Sequence, residues 1–198
     1  MKLEVRKAEE RDLTDLKRLI DTYLAQDYYS MEELRSSIQG ERNLFYVVTD
    51  ADREGMIVSF FYAFLAPLDE ALELLHVRER PQALKEYGGD TPVGVYKTGA
   101  TAKDYQGKGL CSSFIRDLEP VMRDRGARMI LVTAWRKPDL SVPAGGMVRN
   151  AGFEEVCVIR RPWESLTLYC AGCGRIHCIC DAVFYVKKLD EAEGEGER

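Results

Sequence analysis

The segment YQGKGLC at residues 105–111 constrains the fold of this chain more than any other feature, because it lies between a strand-like stretch and an amphipathic helical stretch. Glycines at such a turn let backbone N–H groups approach an anion closely, and the free donors at a helix start favour a pyrophosphate. The P-loop pattern is absent because no Lys-Ser/Thr pair follows Gly109, and the glycine spacing does not fit the GxGxxG pattern of dinucleotide sites. The sequence therefore predicts an anion-binding loop of another class, with a simple helix-capping turn as the alternative.

The stretches on either side of this loop have clear periods. Val93–Ala102 reads VGVYKTGATA and is strand-like, with glycines that suit a bulge or a close backbone approach. From Leu110 to Met122, apolar residues recur at helical spacing and predict an amphipathic helix. Pro120 lies inside this apolar stripe, so we expect the helix to kink or to end early there.

The remaining patterns predict a mixed α/β order of elements. Ser30 and Glu33 form a capping-box pattern for a short helix that ends at Gly40. The excursion at 67–89 has acids at its start and arginines at its end, as a helix dipole prefers. Strands are predicted at 3–6, 43–49, 56–66, 128–135, 153–159 and 181–187, a first helix at 13–24 and a weak last helix at 142–151. With no repeat or linker between these elements, residues 1–189 are predicted to form a single domain.

Composition and charge set the class of protein. The 198 residues are 45% hydrophobic and 31% charged, which is typical of a globular chain rather than a disordered or coiled-coil one. The net charge is −5, but the tail at 190–198 holds five acids and one arginine, which leaves −1 over residues 1–189. That balance argues against a nucleic-acid partner, and the acidic, Gly-spaced tail is predicted to be disordered.

The sequence carries no export or membrane signal. Charges begin at Lys2 with no apolar stretch behind them, and the longest nearly apolar run, Met56–Ala66, has eleven residues, too few to cross a bilayer. The six cysteines then point to a reducing compartment, where clustered thiols are more often metal ligands or redox groups than disulfides. We expect a cytoplasmic protein with no membrane partner.

Four of the six cysteines lie close together within a loop at 166–181, as C-x2-C, a four-residue gap and C-x-C. Four thiolates can surround Zn²⁺ tetrahedrally, and glycines between the cysteines permit the left-handed backbone that such a turn requires. The predicted ligands are Cys170, Cys173, Cys178 and Cys180, with His177 as a substitute for either of the last two. Because protein would fill all four positions, the predicted zinc is structural. An iron–sulfur cluster, a redox or metal-delivery centre, unligated thiols and two disulfides are the alternatives.

In the loop at 106–111 and in the order of elements, the sequence resembles the GNAT superfamily of N-acetyltransferases. The acetyl-CoA loop of that family reads Arg or Gln, two variable residues, Gly, one variable residue, then Gly or Ala, and Cys111 is a small substitute at the last position. Ala151-Gly152-Phe153 is similar to the start of the family's sixth strand, and the order of elements agrees over almost the whole chain. The resemblance implies a mixed, mostly antiparallel central sheet flanked by helices, with the cysteine loop added between the last two strands.

The resemblance also implies where acetyl-CoA binds, namely in a gap between the fourth and fifth strands, near residues 94–102 and 128–135. Backbone N–H groups at the end of the fourth strand would hold the pantetheine and the acyl oxygen, and the loop would hold the pyrophosphate. The implied acetyl-CoA residues are Ala100, Thr101, Ala102, Gln106, Gly107, Lys108, Gly109, Leu110, Cys111 and Ser112.

Acetyl transfer to an amine needs a neutral amine, donors for the developing oxyanion and a proton for the departing thiolate. The side chains that the family often uses are missing here. Its helix tyrosine falls at Val148 and its asparagine at Ser141, and no glutamate lies in 93–102. The substitutes in the sequence are Tyr105, Asp104, His76 and Cys111. None of them is singled out, so the catalytic residues stay unassigned, and catalysis by positioning alone remains open.

The resemblance thus implies an acetyl-CoA-dependent N-acetyltransferase that moves an acetyl group from the CoA thioester to a primary amine by direct attack. The acceptor is a small molecule or a protein terminus or lysine, and the sequence does not choose between them. A non-catalytic module of the same fold, which binds CoA or a protein partner and carries a structural zinc, is the alternative. The quaternary state is open, with a homodimer as one option.

Overall fold

The computed structural model describes residues 2–189, so the predicted acidic tail at 190–198 lies outside the described residues. The strands are β1 (Leu3–Lys7), β2 (Asn43–Asp50), β3 (Met56–Pro67), β4 (Pro92–Thr101), β5 (Met129–Arg136), β6 (Glu154–Ile159), β7 (Tyr169–Cys170), β8 (Arg175–Ile176) and β9 (Asp181–Lys188). The helices are α1 (Leu13–Tyr23), α2 (Met31–Gln39), α3 (Leu68–Leu74), α4 (Leu110–Asp124) and α5 (Gly145–Asn150). These bounds match the predicted strands to within about two residues.

The larger sheet has seven strands in the order β1-β2-β3-β4-β5-β9-β6. Its neighbours are antiparallel except for β4 and β5, which run parallel. A parallel pair needs a crossover connection, and α4 lies in that connection. The small β7-β8 hairpin carries the first cysteine pair between β6 and β9. The predicted mixed, mostly antiparallel sheet with helices and an added cysteine loop is therefore confirmed.

Alternation along the central strands gives the sheet two buried faces. Phe60 of β3 and Val95 of β4 pack with α1, α2 and α3 on one face. Their chain neighbours Phe61 and Tyr96 pack with α4 and α5 on the other face. We call these the α1 face and the α4 face. Because both faces are covered, the central strands read as nearly continuous apolar runs.

The capping box before α2 is present as predicted. The Ser30 side chain accepts a hydrogen bond from the Glu33 N–H at 3.2 Å, and the Glu33 carboxylate accepts one from the Ser30 N–H at 2.7 Å. Both donors would otherwise lack partners at the helix start. The helix ends at Gln39, immediately before Gly40. This local pattern fixes the start of α2 independently of the rest of the fold.

Helix α4 continues through Pro120 to Asp124, so of the two predicted effects of the proline the early end is wrong, and the kink stays a prediction. Proline removes the N–H that would bond the carbonyl of Arg116, which lies on the exposed side of the helix where water can reach it. Leu118 and Met122, on either side of the proline, are buried on the α4 face. The burial of that stripe outweighs the lost bond.

The excursion at 67–89 is helical only in part. Helix α3 ends at Leu74, well before the arginines, and a single 3-10 turn follows at Gln82–Leu84. The Val77 N–H closes back onto the Leu72 carbonyl at 2.8 Å, and His76 between them takes a left-handed conformation with φ 59°. Burial of Val77 in the α1-face core favours this turn over a longer helix. The excursion therefore covers one end of the sheet and then returns to β4.

Candidate functional site

The central feature of the site is a gap between β4 and β5. Within residues 2–189 the two strands pair only from Gly94–Ile130 to Tyr96–Val132, and beyond that point β4 stays with β3 while β5 stays with β9. Residues along the separated halves are half-buried although both strands are central: Lys97, Thr98, Gly99, Thr101, Thr133 and Trp135. A central sheet position is exposed in this way only where a cleft reaches it.

The polar groups at the end of β4 divide between the two sides of the strand. The Ala102 N–H donates to Val58 O at 2.8 Å, and the Ser59 hydroxyl donates to Ala100 O at 3.1 Å, so the backbone groups of Ala100 and of Ala102, the residue after β4, face β3. Because backbone groups alternate along a strand, those of Thr101 face the opposite side, toward the gap. The Ala102 N–H is therefore engaged within the sheet, and Thr101 presents its N–H to the cleft.

The glycine loop continues from this end of β4 into α4. Gly107 and Gly109 both take left-handed conformations, with φ 72° and 78°, and a Cβ at either position would meet no atom within 4 Å. Gly109 is the N-cap residue, directly before α4. The Gln106 side chain donates to Thr101 O at 2.9 Å and ties the loop back to β4. The loop is thus held in a conformation that favours glycine, with open space in front of it.

The first turn of α4 has the electrostatics of an anion site. Its residues Leu110, Cys111 and Ser112 supply helix-start N–H groups, and no acidic side chain lies in this turn. The Thr101 hydroxyl lies 3.3 Å from the Cys111 sulfur, which joins the strand end to the helix. The Lys108 ammonium stands 5.0 Å from the centre of the Tyr105 ring, beside the loop. The structure therefore places the predicted acetyl-CoA residues along one continuous strand end, loop and helix start.

Two of the four candidate acid–base residues, Tyr105 and Cys111, form contacts with other side chains. The Tyr105 hydroxyl donates to Asp50 at 2.6 Å in a buried pair, and this bond raises the pKa of Tyr105. Cys111 is half-buried against Thr101. His76 follows the end of α3, and burial lowers its pKa, as do the neighbouring positive charges. Asp104 is exposed on the loop. None of the four is presented as a free acid or base in the β4-β5 gap.

At the two positions where this chain lacks the side chains that the family often uses, the residues present have structural contacts instead. Val148 is 2% exposed and packs in the α4-face core. Ser141 bonds Asp139, with 2.6 Å between the two side-chain oxygens, in the loop that follows β5. Val148 has no proton to donate, and the Ser141 hydroxyl is engaged by Asp139.

Lys97 is a site residue that the sequence analysis missed. It is half-buried on β4, directly after the last β4-β5 pair, and its ammonium donates to Leu74 O at 2.6 Å. Burial lowers the pKa of Lys97 to about 8. A signal was present in the sequence, because a lysine interrupts the otherwise apolar and small-residue stretch VGVYKTGATA.

The four predicted metal ligands come together. The sulfur atoms of Cys170, Cys173, Cys178 and Cys180 all lie within 4.8 Å of one another. A regular tetrahedron of sulfurs around zinc at about 2.3 Å has edges of about 3.8 Å, so the cluster is close to the size that a metal requires. The β7-β8 hairpin brings the two pairs together, and Gly174 turns it with φ 66°. We call residues 169–180 the knuckle.

His177 lies outside this cluster. Its Nδ1 is 3.2 Å from the Glu164 carbonyl oxygen, and the ring is exposed. Among the described residues the metal-binding group consists of the four cysteines alone. The all-cysteine ligand set is therefore the one that the geometry supports.

The thiols of the knuckle resist ionising together. A hydrogen bond from the Cys178 thiol, with backbone N–H groups, lowers the pKa of Cys170 to about 5. Burial raises the pKa of Cys180 to about 12, and the pKa of Cys178 is raised because its thiol serves Cys170. Without a cation the cluster thus prefers one thiolate. A divalent ion would remove the cost of forming several buried thiolates, because its positive charge offsets the repulsion between them.

The knuckle is joined by backbone hydrogen bonds to the chain between α1 and α2. Ala25 forms a bridge with Cys170, the Ala171 N–H donates to Leu24 O at 3.0 Å, and the Gln26 N–H donates to Tyr169 O at 3.1 Å. The rings of Trp135 and Trp163 pack against the sulfurs. The knuckle therefore connects the α1-α2 segment to the end of β5, beside the cleft.

Solved structures share the overall fold of this chain. The ribosomal-protein-S18-alanine N-acetyltransferase from Escherichia coli gives a TM-score of 0.64 at 18% sequence identity, covering 100% of both chains. NAA60 from Arabidopsis thaliana, solved with acetyl-CoA, gives 0.69 at 14% identity over 96% of this chain and 100% of that one. The chain has the GNAT fold. The NatC complex bound to Gag peptide and CoA gives 0.67 at 15% identity over 96% of this chain and 100% of the other.

These comparisons establish the GNAT fold at low sequence identity. No protein-family model matches the sequence, and neither does any curated protein sequence. Within residues 2–189 no helix has both the length and the apolar character needed to cross a membrane.

Proposed function

We propose that this protein is an acetyl-CoA-dependent N-acetyltransferase. The observation that carries the proposal is the β4-β5 gap, which opens directly onto a left-handed glycine loop at the start of α4. An extended thioester arm fits a gap between separated strands, and a pyrophosphate fits the donors of the loop and helix start. The GNAT fold of structures solved with CoA and acetyl-CoA supports the same ligand.

The proposed contacts follow the order of the chain. The pyrophosphate is held by residues 107–112, where the loop and the first turn of α4 present N–H groups. The pantetheine arm lies along the end of β4, at residues 100–102, with the Thr101 N–H as the donor that faces the gap. An oxyanion formed on the thioester carbonyl is stabilised by such fixed backbone donors without a dedicated side chain.

The acceptor is a primary amine that attacks the thioester directly. The nitrogen–carbon bond forms, the carbon–sulfur bond breaks, and CoA leaves as its thiol with the proton that the amine gives up. Positioning of both reactants in one cleft supplies much of the rate. The neighbour solved with a peptide, the NatC complex, supports peptide amines as one acceptor class, and small-molecule amines are the other.

Two measurements on one preparation test this proposal. Isothermal titration with acetyl-CoA should show saturable binding, and an assay of CoA thiol release should detect turnover with at least one member of a panel of α-amino peptides, lysine peptides and small amines. Absence of binding at millimolar acetyl-CoA defeats the proposal. Binding together with turnover supports it.

A non-catalytic CoA-binding or protein-interaction module of the same fold is the second candidate. The observation that favours it is the burial of Val148, 2% exposed, at the position where the family often places its proton-donating tyrosine. Acetyl-CoA binding without thiol release across the whole amine panel identifies this function.

We also propose that the knuckle holds one structural Zn²⁺ through its four thiolates. Three of the ligands are at most 1% exposed, and all four coordination positions are filled by protein, so water has no place on the metal. A filled site of this kind stabilises the backbone contacts between Cys170 and the α1-α2 segment. A reducing compartment such as the cytoplasm suits these free thiols.

Metal analysis of the purified protein tests the zinc site. Stoichiometric zinc is expected, and Cys173→Ser should lower it strongly. Cys157→Ser is the matched control, because this half-buried thiol lies on β6 outside the cluster. Purified protein without metal, or equal zinc in both variants, contradicts the proposal, and iron in place of zinc identifies the alternative metal.

A further inference from the structure

Lys97 lies at the closed end of the gap between β4 and β5. The strands pair for the last time at Tyr96 and Val132, and the next residue of β4 is Lys97. The glycine loop lies at the other end of the gap, beyond Thr101. An acetyl-CoA molecule with its pyrophosphate at that loop therefore directs its acyl end along β4 toward Lys97, and the paired strands stop it there.

A register irregularity sets the direction of the Lys97 side chain. Tyr62 pairs with Thr98 and Ala63 pairs with Tyr96, so Lys97 is the extra residue of a bulge in β4. Bulges re-aim side chains at a sheet. The Thr98 hydroxyl meets the Tyr29 hydroxyl at 3.4 Å, and the Lys97 ammonium reaches Leu74 O. The amine thus lies on the α1 face, where α3 gives it one acceptor.

The amine borders a cavity of about 520 Å³ between α2, α3 and β3. Among residues 2–189 no carboxylate forms an ion pair with Lys97 at 4.0 Å or less. The Leu74 carbonyl accepts one hydrogen bond from the Lys97 ammonium and, being neutral, does not offset its positive charge. The charged groups and the histidine that line the cavity or stand near the amine are Glu32, Glu33, Arg42, Glu70, His76 and Arg78. The phenols of Tyr29 and Tyr62 line it as well.

Burial favours the neutral, nucleophilic form of the amine. Burial lowers the pKa of Lys97 to about 8, so about half of the side chain is neutral at pH 8. An ordinary lysine, with a pKa of about 10.4, is neutral in well under about 1% of molecules at that pH. A neutral amine is the form that attacks a thioester.

We propose that Lys97 is a site of self-acetylation, in which its own ε-amine takes the acetyl group from bound acetyl-CoA. The inference rests on the proposed binding of acetyl-CoA in the gap. The Lys97 nitrogen attacks the thioester carbonyl carbon, the carbon–sulfur bond breaks, and the proton lost by the nitrogen leaves with the CoA thiol. The products are Nε-acetyl-Lys97 and CoA, and no further reactant is needed.

The test incubates the purified protein with acetyl-CoA alone and maps acetyl-lysine by peptide mass spectrometry. Lys97 should be acetylated at least tenfold faster than Lys85, an exposed lysine of the excursion that precedes β4. The rate constant should not depend on protein concentration, because the transfer is intramolecular. It should rise between pH 7 and pH 9 and then level off, whereas an ordinary lysine continues to gain reactivity above pH 10.

Variants separate the explanations. Lys97→Arg should abolish the signal and Lys85→Arg should leave it unchanged, and both are checked for folding by thermal unfolding. Gly109→Val should remove the acetylation of Lys97 by removing the bound donor. Equal acetylation of Lys97 in native and Gly109→Val protein overturns the inference, because the reaction would not depend on the site.

Titration with acetyl-CoA on the same samples keeps this inference apart from the proposed function. If acetyl-CoA binds and Lys97 reacts no faster than Lys85, the self-acetylation inference is wrong and the acetyl-CoA site stands. If acetyl-CoA does not bind, the proposed function fails and the inference fails with it. The pH profile of the native protein decides the matter even if Lys97→Arg does not fold.

Discussion

Alanine at Gly109 separates the backbone role of this residue from its proposed role as a ligand contact. Gly109 and Gly126 lie at the two ends of α4, with φ 78° and 86°, and a Cβ at either position meets no atom within 4 Å. The cost of alanine at each position is therefore the cost of a left-handed backbone alone, about 1–2 kcal/mol. In a domain of this size that cost lowers the melting temperature by roughly 2–8 °C.

The two variants should differ in their affinity for acetyl-CoA. Only Gly109 borders the space that we assign to the pyrophosphate, and a methyl group there displaces the ligand from at least one backbone donor. The loss of a hydrogen bond to a charged group costs about 1.5–3 kcal/mol. That corresponds to roughly a 10- to 150-fold increase in Kd.

Thermal unfolding and isothermal titration of both variants measure the two effects separately. We expect similar losses of stability, with weaker binding only in Gly109→Ala, so that Gly126→Ala is the matched control. If Gly109→Ala binds acetyl-CoA as tightly as the native protein, the pyrophosphate does not lie at this loop. If both variants weaken binding equally, the effect comes from α4 as a whole and not from the loop.

Three further predictions concern stability. Tyr105→Phe removes the 2.6 Å hydrogen bond to the buried Asp50 carboxylate and should cost about 1.5–3 kcal/mol in urea unfolding; an unchanged midpoint contradicts this. Burial alone would raise the pKa of Asp12, but the hydrogen bonds that its carboxylate accepts from Arg6 and from a backbone N–H lower this pKa below 3.8. The ionised carboxylate therefore stabilises the fold above about pH 4, and this stabilisation is lost as the pH falls. Asp12→Asn should flatten that part of the stability–pH curve. A zinc chelator should lower the melting temperature of the native protein and not that of Cys170→Ser, and equal shifts would locate the metal elsewhere.

Local sequence patterns were enough to predict the seven strands of the larger sheet, the start of α2 and the glycine loop. The strands are recognised from their period and apolar runs, whereas the start of α2 and the loop are fixed by contacts within a few residues, such as the reciprocal bonds of Ser30 and Glu33 or the left-handed Gly109 before α4. The cysteine cluster was predicted for a related reason. Its ligands lie within eleven residues, so their spacing alone brings them together.

The predictions that failed depend on distant contacts. The helix through Pro120 persists because Leu118 and Met122 are buried against the sheet, which the proline rule does not take into account. The excursion after β3 turns at His76 because Val77 enters the core of the α1 face. Lys97 was not singled out, because the glycines of this strand suit a bulge without indicating which residue forms it, and the contact with the Leu74 carbonyl cannot be inferred from neighbours in sequence.

The elements that local pattern predicts form the proposed acetyl-CoA side of the cleft, and the elements that depend on distant contacts form the proposed acceptor side. The donor side consists of a strand end, a loop and a helix start that are contiguous in sequence, so its ligand can be inferred from local pattern. The acceptor side is assembled from segments that are far apart in sequence. Leu74 of α3 accepts a hydrogen bond from Lys97, and the knuckle pairs with Ala25 through Cys170. Both segments pack on or beside the α1 face, away from α4. Under the proposed function, acceptor choice therefore resides in these added segments, and exchange of either one should change the amine that is used while acetyl-CoA affinity stays the same.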